Sequence, residues 1–276
     1  MRNFILTFLG RPAGIVGLAL LGFVCLMAAL APVLYPASPW DMSGIPFSRP
    51  GENGMLLGAD TLGRDVASGI LHGARVSLLI GIVSAIAASC IGVLLGCIAG
   101  YAGGVVDIGI VRFTEIFQTI PSFVLAILMV AILTPSLGTI ILAIALVSWP
   151  PLARLTRAQV MSISQREFVQ AALCQGQSTV SVVVRHVLPN AISPVIVAGS
   201  LTVAAAILIE AALSFMGLGD PNFMSWGYMI GAGRTVIRQA WWMSVFPGFA
   251  ILLTVVAINL VGEALNDALN PRISRA

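Results

Sequence analysis

The sequence predicts an all-α integral membrane protein with six transmembrane helices. Two observations carry that prediction, the composition and its distribution along the chain. Of 276 residues, 58% are hydrophobic and only 9% charged, with a mean hydropathy of +1.01, a balance that no water-exposed globular surface tolerates. The apolar residues also gather into stretches near the ~20 residues that a helix needs to cross the hydrocarbon core. Six qualify: Gly14 to Leu34, Val76 to Ala99, Phe113 to Leu133, Leu137 to Leu155, Ile192 to Met216 and Val245 to Leu265.

The charged residues exclude several functions. The net charge of +3 forms no basic stripe, so nucleic acid is not expected as a partner. All 14 basic residues are arginine, and a phosphate-binding P-loop needs lysine; ATP, if it drives this protein, is bound by another chain. Cys25, Cys90, Cys97 and Cys174 make no Cys-x-x-Cys pair and the histidines are only His72 and His186, so neither disulfides nor a metal site is expected.

The first apolar stretch follows Arg2 and Arg11 and ends in small residues, as a secretory signal would. It exceeds the ~7–15 apolar residues of a signal, and is read as a retained helix. With the amino terminus inside, six spans place nine arginines on the cytoplasmic side (Arg2, Arg11, Arg112, Arg154, Arg157, Arg166, Arg185, Arg272, Arg275) and five outside. That bias follows the positive-inside rule and puts both termini in the cytoplasm.

Residues 36–75 form an external segment containing Gly58-Ala59-Asp60-Thr61-Leu62-Gly63-Arg64-Asp65. Two states suit it: solvated charges, or a lid over the outer mouth. Gly92, Gly96 and Gly100 give the second span a close-packing face at four-residue spacing, toward another helix of this chain or of a partner. The third and fourth spans make a tight hairpin at Thr134-Pro135-Ser136. Glu115 lies at the inner end of the third, either reaching the interface or serving the pathway. Pro150 and Pro151 are expected to kink or end the fourth helix beside Trp149, an interfacial anchor by type. In the fifth span Glu210 must face protein or a water-filled cavity; it either lines the path or is hydrogen bonded to a neighbouring helix. Trp226, Trp241 and Trp242 in the next external loop suit an aromatic belt, and the loop is long enough to meet an external protein.

Residues 164–189, between spans four and five, are the longest polar interruption in the second half. Ser164 and Glu167 have capping-box spacing. Gly176 suits the left-handed end of a short helix, and Ser178 the cap of a second one ending before Pro189. The result is an elbow of two small helices, with Ala171, Ala172 and Gly176 offering close backbone approach to another protein.

Gln170-Ala171-Ala172, Gly176 and His186-Val187-Leu188-Pro189 resemble the coupling-loop signature of bacterial ABC importer permeases, with Gln170 where the family usually has glutamate. Gly58-Ala59-Asp60, Gly63-Arg64-Asp65, Gly73 to Leu78, Leu213 to Gly219, Phe246-Pro247-Gly248 and Asn266 to Arg272 extend the likeness over nearly the whole chain. It is nearest the C-type permease of dipeptide, oligopeptide and nickel importers. The resemblance implies a type I ABC importer permease fold with cytoplasmic coupling helices. It divides the chain into an anchor helix and external segment at 1–73 and a transmembrane core at 74–276. It also implies a bacterial inner-membrane location, a second homologous permease, two cytoplasmic ATPase subunits holding ATP and Mg, and a periplasmic solute-binding protein. Glu167, Gln170, Ala171, Ala172, Gly176, His186 and Pro189 would form the ATPase-coupling loop. The transported solutes would be di- or oligopeptides, with nickel or another small solute as the alternative. An ion-coupled secondary transporter would instead use Glu115 or Glu210, and a membrane enzyme lacks a convincing catalytic constellation in the spans.

Overall fold

A computed structural model describes Phe8 and residues 10–269. The helices are α1 (Pro12–Leu34), α2 (Val66–Ala102), α3 (Gly104–Thr119), α4 (Ser122–Leu133), α5 (Leu137–Ser164), α6 (Glu167–Cys174), α7 (Thr179–Val182), α8 (Leu188–Phe215), α9 (Trp226–Gly233) and α10 (Trp242–Leu269). A π-helical turn, Val183–Val187, joins α7 to α8. Arg2, Asn270, Pro271, Arg272 and Arg275, which the topology and family resemblance invoke, lie outside the described residues.

Among the described residues, five helical rods are long and apolar enough to cross a membrane: α1, α2, α5, α10 and the 37-residue run Thr179–Phe215. The expected third span is not one helix. It is the pair α3 and α4, bent by 81°, and counts as a sixth span only if taken together. The break has a local cause: Pro121 has no N–H to continue the ladder and forces Ile120 into an extended conformation, φ −94°, ψ 131°. Pro150 and Pro151 do not end their helix, for α5 runs through both to Ser164. There the flanks are packed: Trp149, Pro150, Leu152 and Ala153 are buried, and close neighbours hold a helix together across a missing hydrogen bond.

Helix α2 is the spine. Asp65 caps it by accepting from the Ala67 N–H at 2.8 Å, and its 37 residues extend about 55 Å at 1.5 Å each. The boundary expected between residues 73 and 74 falls inside this unbroken helix. Its glycine face packs within this chain, on α5. A Cβ on Gly92 would stand 2.7 Å from the Leu152 Cβ, one on Gly96 would strike the Ala153 carbonyl, and one on Gly100 would stand 2.7 Å from the Arg157 carbonyl. Without glycine these backbones cannot approach so closely. One turn series outward, Gly81 meets Ile207 of α8. Helix α1 closes against α10, where a Cβ on Gly17 would lie 2.8 Å from that of Leu260.

Trp149, Trp226 and Trp242 are not lipid-level anchors. Trp149 is 1% exposed and lies among Phe113 and Phe117, at centroid distances of 5.8 and 5.3 Å. The indole N–H groups of Trp226 and Trp242 donate to the carbonyls of Ile70 (2.9 Å) and Ala59 (3.0 Å). Trp241 alone of the loop tryptophans is exposed. The indoles of Trp226 and Trp242 have internal acceptors and that of Trp149 an aromatic cluster, which removes the reason to sit at an interface.

Candidate functional site

The polar elbow between α5 and α8 is a folded unit. Val160, Ile163, Val169, Ala172, Val182, Val187 and Ala191 form its buried core. Glu167 opens α6, but the capping box is absent: Arg166 occupies the cap position, and the Ser164 hydroxyl donates back to the Met161 carbonyl at 2.9 Å. The longer α5 has claimed Ser164 for its own last turn. Gly176, at φ +79°, ends α6 in a Schellman arrangement, with Gly176 N–H on Leu173 and Gln177 N–H on the Ala172 carbonyl.

Ser178 does cap α7, accepting from the Ser181 N–H at 3.4 Å, yet that helix does not stop before Pro189. It widens into the π turn and continues as α8. The widening immediately precedes Pro189, whose ring would otherwise meet the carbonyl one turn back, and the Asn190 side chain donates to the His186 carbonyl at 2.7 Å. The His186 ring meets the Gln177 side chain at 3.1 Å, pinning the two sides of the elbow together. Gln170 donates its side-chain amide to the Ser164 carbonyl at 2.9 Å, an acceptor left over at the end of α5. Glu167, Gln170, Ala171, Gly176 and Pro189 are exposed. Ala172 is not; at 5% exposure it packs inward and offers no docking surface. Phe168, Leu173, Val180 and Val184 add apolar side chains to the exposed face.

At the opposite end the Asp60–Asp65 motif is a packed turn and its charges are not solvated. The Asp60 carboxylate accepts from the Leu62 and Arg64 amides, both at 2.8 Å. A Cβ on Gly63 would strike the Gly44 carbonyl. Arg64 lies 4.7 Å over the Trp40 ring and reaches the Tyr228 hydroxyl at 3.5 Å, with Asp60 at 4.0 Å. Burial pushes the Asp65 carboxyl above the usual carboxylate range, against the lowering pull of the Ala67 and Ser68 amides.

Glu210 and Glu115 are not brought together. Glu210 is 1% exposed, and one carboxylate oxygen accepts from Ser214 at 2.7 Å and Ser225 at 2.6 Å. Ser225 in turn caps α9. This is the internally hydrogen-bonded arrangement, and it ties α8 to the loop that follows it. Glu115 is half-buried and paired with the exposed Arg112 at 2.9 Å.

Two contacts escaped the sequence reading. Asp107 and Arg157 form a bidentate pair, at 2.5 and 2.6 Å, latching α3 to α5. Asp220 accepts from the Leu137 N–H at 2.8 Å, capping α5 from a distant loop. Only the acid just after Gly103-Gly104, in the first turn of a helix, hinted at the former.

An apolar helical bundle with several membrane-length helices, a polar elbow at one end and packed turns at the other is the architecture of a multi-pass membrane protein. The chain belongs to the family described as binding-protein-dependent transport system inner membrane component, whose model matches residues 92–275. It is 39% identical to the di/tripeptide transport system permease protein of Pseudomonas aeruginosa, over 100% of this chain and 93% of that one. It is likewise 39% identical to a dipeptide transport system permease protein of Bacillus subtilis, over 94% and 82%. Against an oligopeptide transport system permease protein of Haemophilus influenzae the identity is 34%, over 96% and 86%. Among solved structures, an inward-facing form of the MetNI methionine ABC transporter contains a chain of the same fold. Its TM-score is 0.61 at 17% identity, covering 73% of this chain and 96% of that one.

Proposed function

We propose that this chain is one of two permease subunits of an ATP-driven importer that carries short peptides across the bacterial inner membrane. The observation that carries the reading is similarity to peptide permeases over the full length of the chain. The second permease, two ATPase subunits that bind ATP and Mg, and a periplasmic solute-binding protein complete the assembly. In this reading the 164–189 elbow faces the cytoplasm, as do both termini, and the Asp60–Asp65 turn faces the delivery protein.

The geometry supplies a mechanism. An ATPase gripping Gln170, Ala171 and Gly176 would hold α5 and α8 at once, because the elbow joins them through a single apolar core. From Thr179 to Phe215 the chain is one helical run of 37 residues, about 55 Å long. Closure of the ATPase dimer would move that rod as a body, and its far end holds the outer loop through Glu210 and Ser225. Rigid-body movement of this kind opens a path alternately to either side. Proton coupling is disfavoured, since Glu115 is engaged with Arg112 and one oxygen of Glu210 with Ser214 and Ser225.

The test is ATP-dependent uptake of a labelled dipeptide by proteoliposomes containing the full complex and its binding protein. Ala171→Trp, which fills the exposed elbow without touching its core, is expected to cut uptake by about tenfold, equivalent to losing ~1.4 kcal/mol of contact. Undiminished uptake in that variant would overturn the docking assignment. Uptake that ignores ATP but follows a proton gradient would overturn the function.

A further inference from the structure

One cavity among the described residues is lined by several uncharged polar side chains. It has a volume of about 620 Å3 and opens on the elbow side, between the end of α5, the first turns of α8 and the end of α10. Gln159, Asn190, Ser193 and Asn266 line it, and Arg166 stands at its rim. By contrast, the crevices between α2 and α8, and between α1, α2 and α10, are walled mainly by aliphatic and aromatic carbon.

The polar groups of the cavity are uncommitted. Among the described residues, the side chains of Gln159, Ser193, Asn266 and Arg166 make no hydrogen bond or ion pair. Asn190 donates to the His186 carbonyl, which leaves its own carbonyl oxygen free. In a chain this apolar, polar side chains near helix ends are kept against protein, water or ligand, not hydrocarbon. Among the described residues no acid lines the space.

The chemistry of the lining names a ligand. A carboxamide presents one carbonyl acceptor and an N–H donor, the same pair that a peptide bond presents. Three carboxamides around one void can therefore satisfy a peptide backbone without reading its side chains. A free guanidinium with no competing acid suits a carboxylate. The volume falls within the ~300–1,000 Å3 typical of small-ligand sites. We infer that this cavity binds short peptides on the elbow side of the membrane, with Gln159, Asn190 and Asn266 pairing with peptide bonds and Arg166 taking the α-carboxylate. The inference rests on the peptide-import reading and adds to it the place where cargo sits before release. It also links release to docking, because Arg166 sits at the residue just before the first elbow helix and α5 and α8 form two of the walls.

The experiment uses the full complex in lipid nanodiscs, which expose both faces. In this chain Cys25, Cys90, Cys97 and Cys174 are replaced by alanine, Ser193→Cys is introduced, and modification by a charged thiosulfonate is read by mass on this chain. Saturating trialanine is expected to slow modification by about tenfold, with its C-terminal amide binding more weakly for want of the charge-assisted contact. Arg166→Gln should abolish the difference between acid and amide, while Asn266→Ala should weaken both. A modification rate indifferent to trialanine, in a complex that imports trialanine, overturns the inference, as does equal protection by acid and amide with Arg166 intact. Dependence on anionic lipid in place of peptide would assign the cavity to a phospholipid and also overturn it. A complex that is protected by trialanine but does not import it refutes the import reading and leaves the site standing.

Discussion

Breaking the Asp107–Arg157 pair should release α3 from α5. The two side chains are 15% and 32% exposed, between the regimes of surface and buried ion pairs. A surface pair contributes about 0.2–1 kcal/mol, whereas truncating one partner of a buried pair costs about 3–5 kcal/mol. Two charge-assisted hydrogen bonds at half-buried depth place the loss near 1.5–3 kcal/mol, or about 10- to 100-fold in the undocking equilibrium. Asp107 also lies in the first turn of α3, where a negative charge contributes a further ~0.3–1 kcal/mol. A double-mutant cycle separates the two contributions. Hydrogen exchange of amides in 104–119 should accelerate by about that factor in Arg157→Gln and slightly more in Asp107→Asn, with the double variant no worse than Asp107→Asn. Additive effects, or exchange unchanged in either single variant, would refute the latch.

Gly96→Leu should prevent close packing of α2 on α5 and lower the thermal midpoint of the purified complex sharply. Gly109→Ala, which meets nothing within 4 Å, should be tolerated or stabilise α3 by up to ~1 kcal/mol. Gln170→Glu removes the donor that satisfies the Ser164 carbonyl and should loosen the elbow by about 0.5–1.5 kcal/mol, seen as faster exchange over 165–175; unchanged exchange would show that the amide is dispensable. Burial raises the carboxyl of Asp65 above its unfolded value, so its contribution to stability is full below the ordinary carboxylate range and falls as pH rises through the raised value. Asp65→Asn keeps the capping acceptor and should flatten that slope in a pH series of thermal midpoints, while Asp65→Ala should lose about 1 kcal/mol of cap at every pH.

The class of the protein, five of its membrane-length apolar segments and the position of the elbow were determined by the sequence alone. These properties depend on sums of transfer free energy over about 20 adjacent residues, or on one residue in a special conformation, as at Gly176. The motifs around Gly58 to Asp65 and Gln170 to Pro189 added the family. Tertiary structure decided what depends on residues far apart in the chain. Pro121 breaks its helix while Pro150 and Pro151 do not, because packed neighbours surround only the second site. Trp149 and Trp226 are buried where residue type suggested an interface, because an aromatic cluster receives one and the Ile70 carbonyl accepts from the other. Asp107 finds Arg157 fifty residues away, and Glu210 finds Ser225 across a turn. Hydropathy sees each of these side chains singly. The energy of a carboxylate or an indole in a membrane protein depends on the partner that reaches it, and the fold alone supplies that partner.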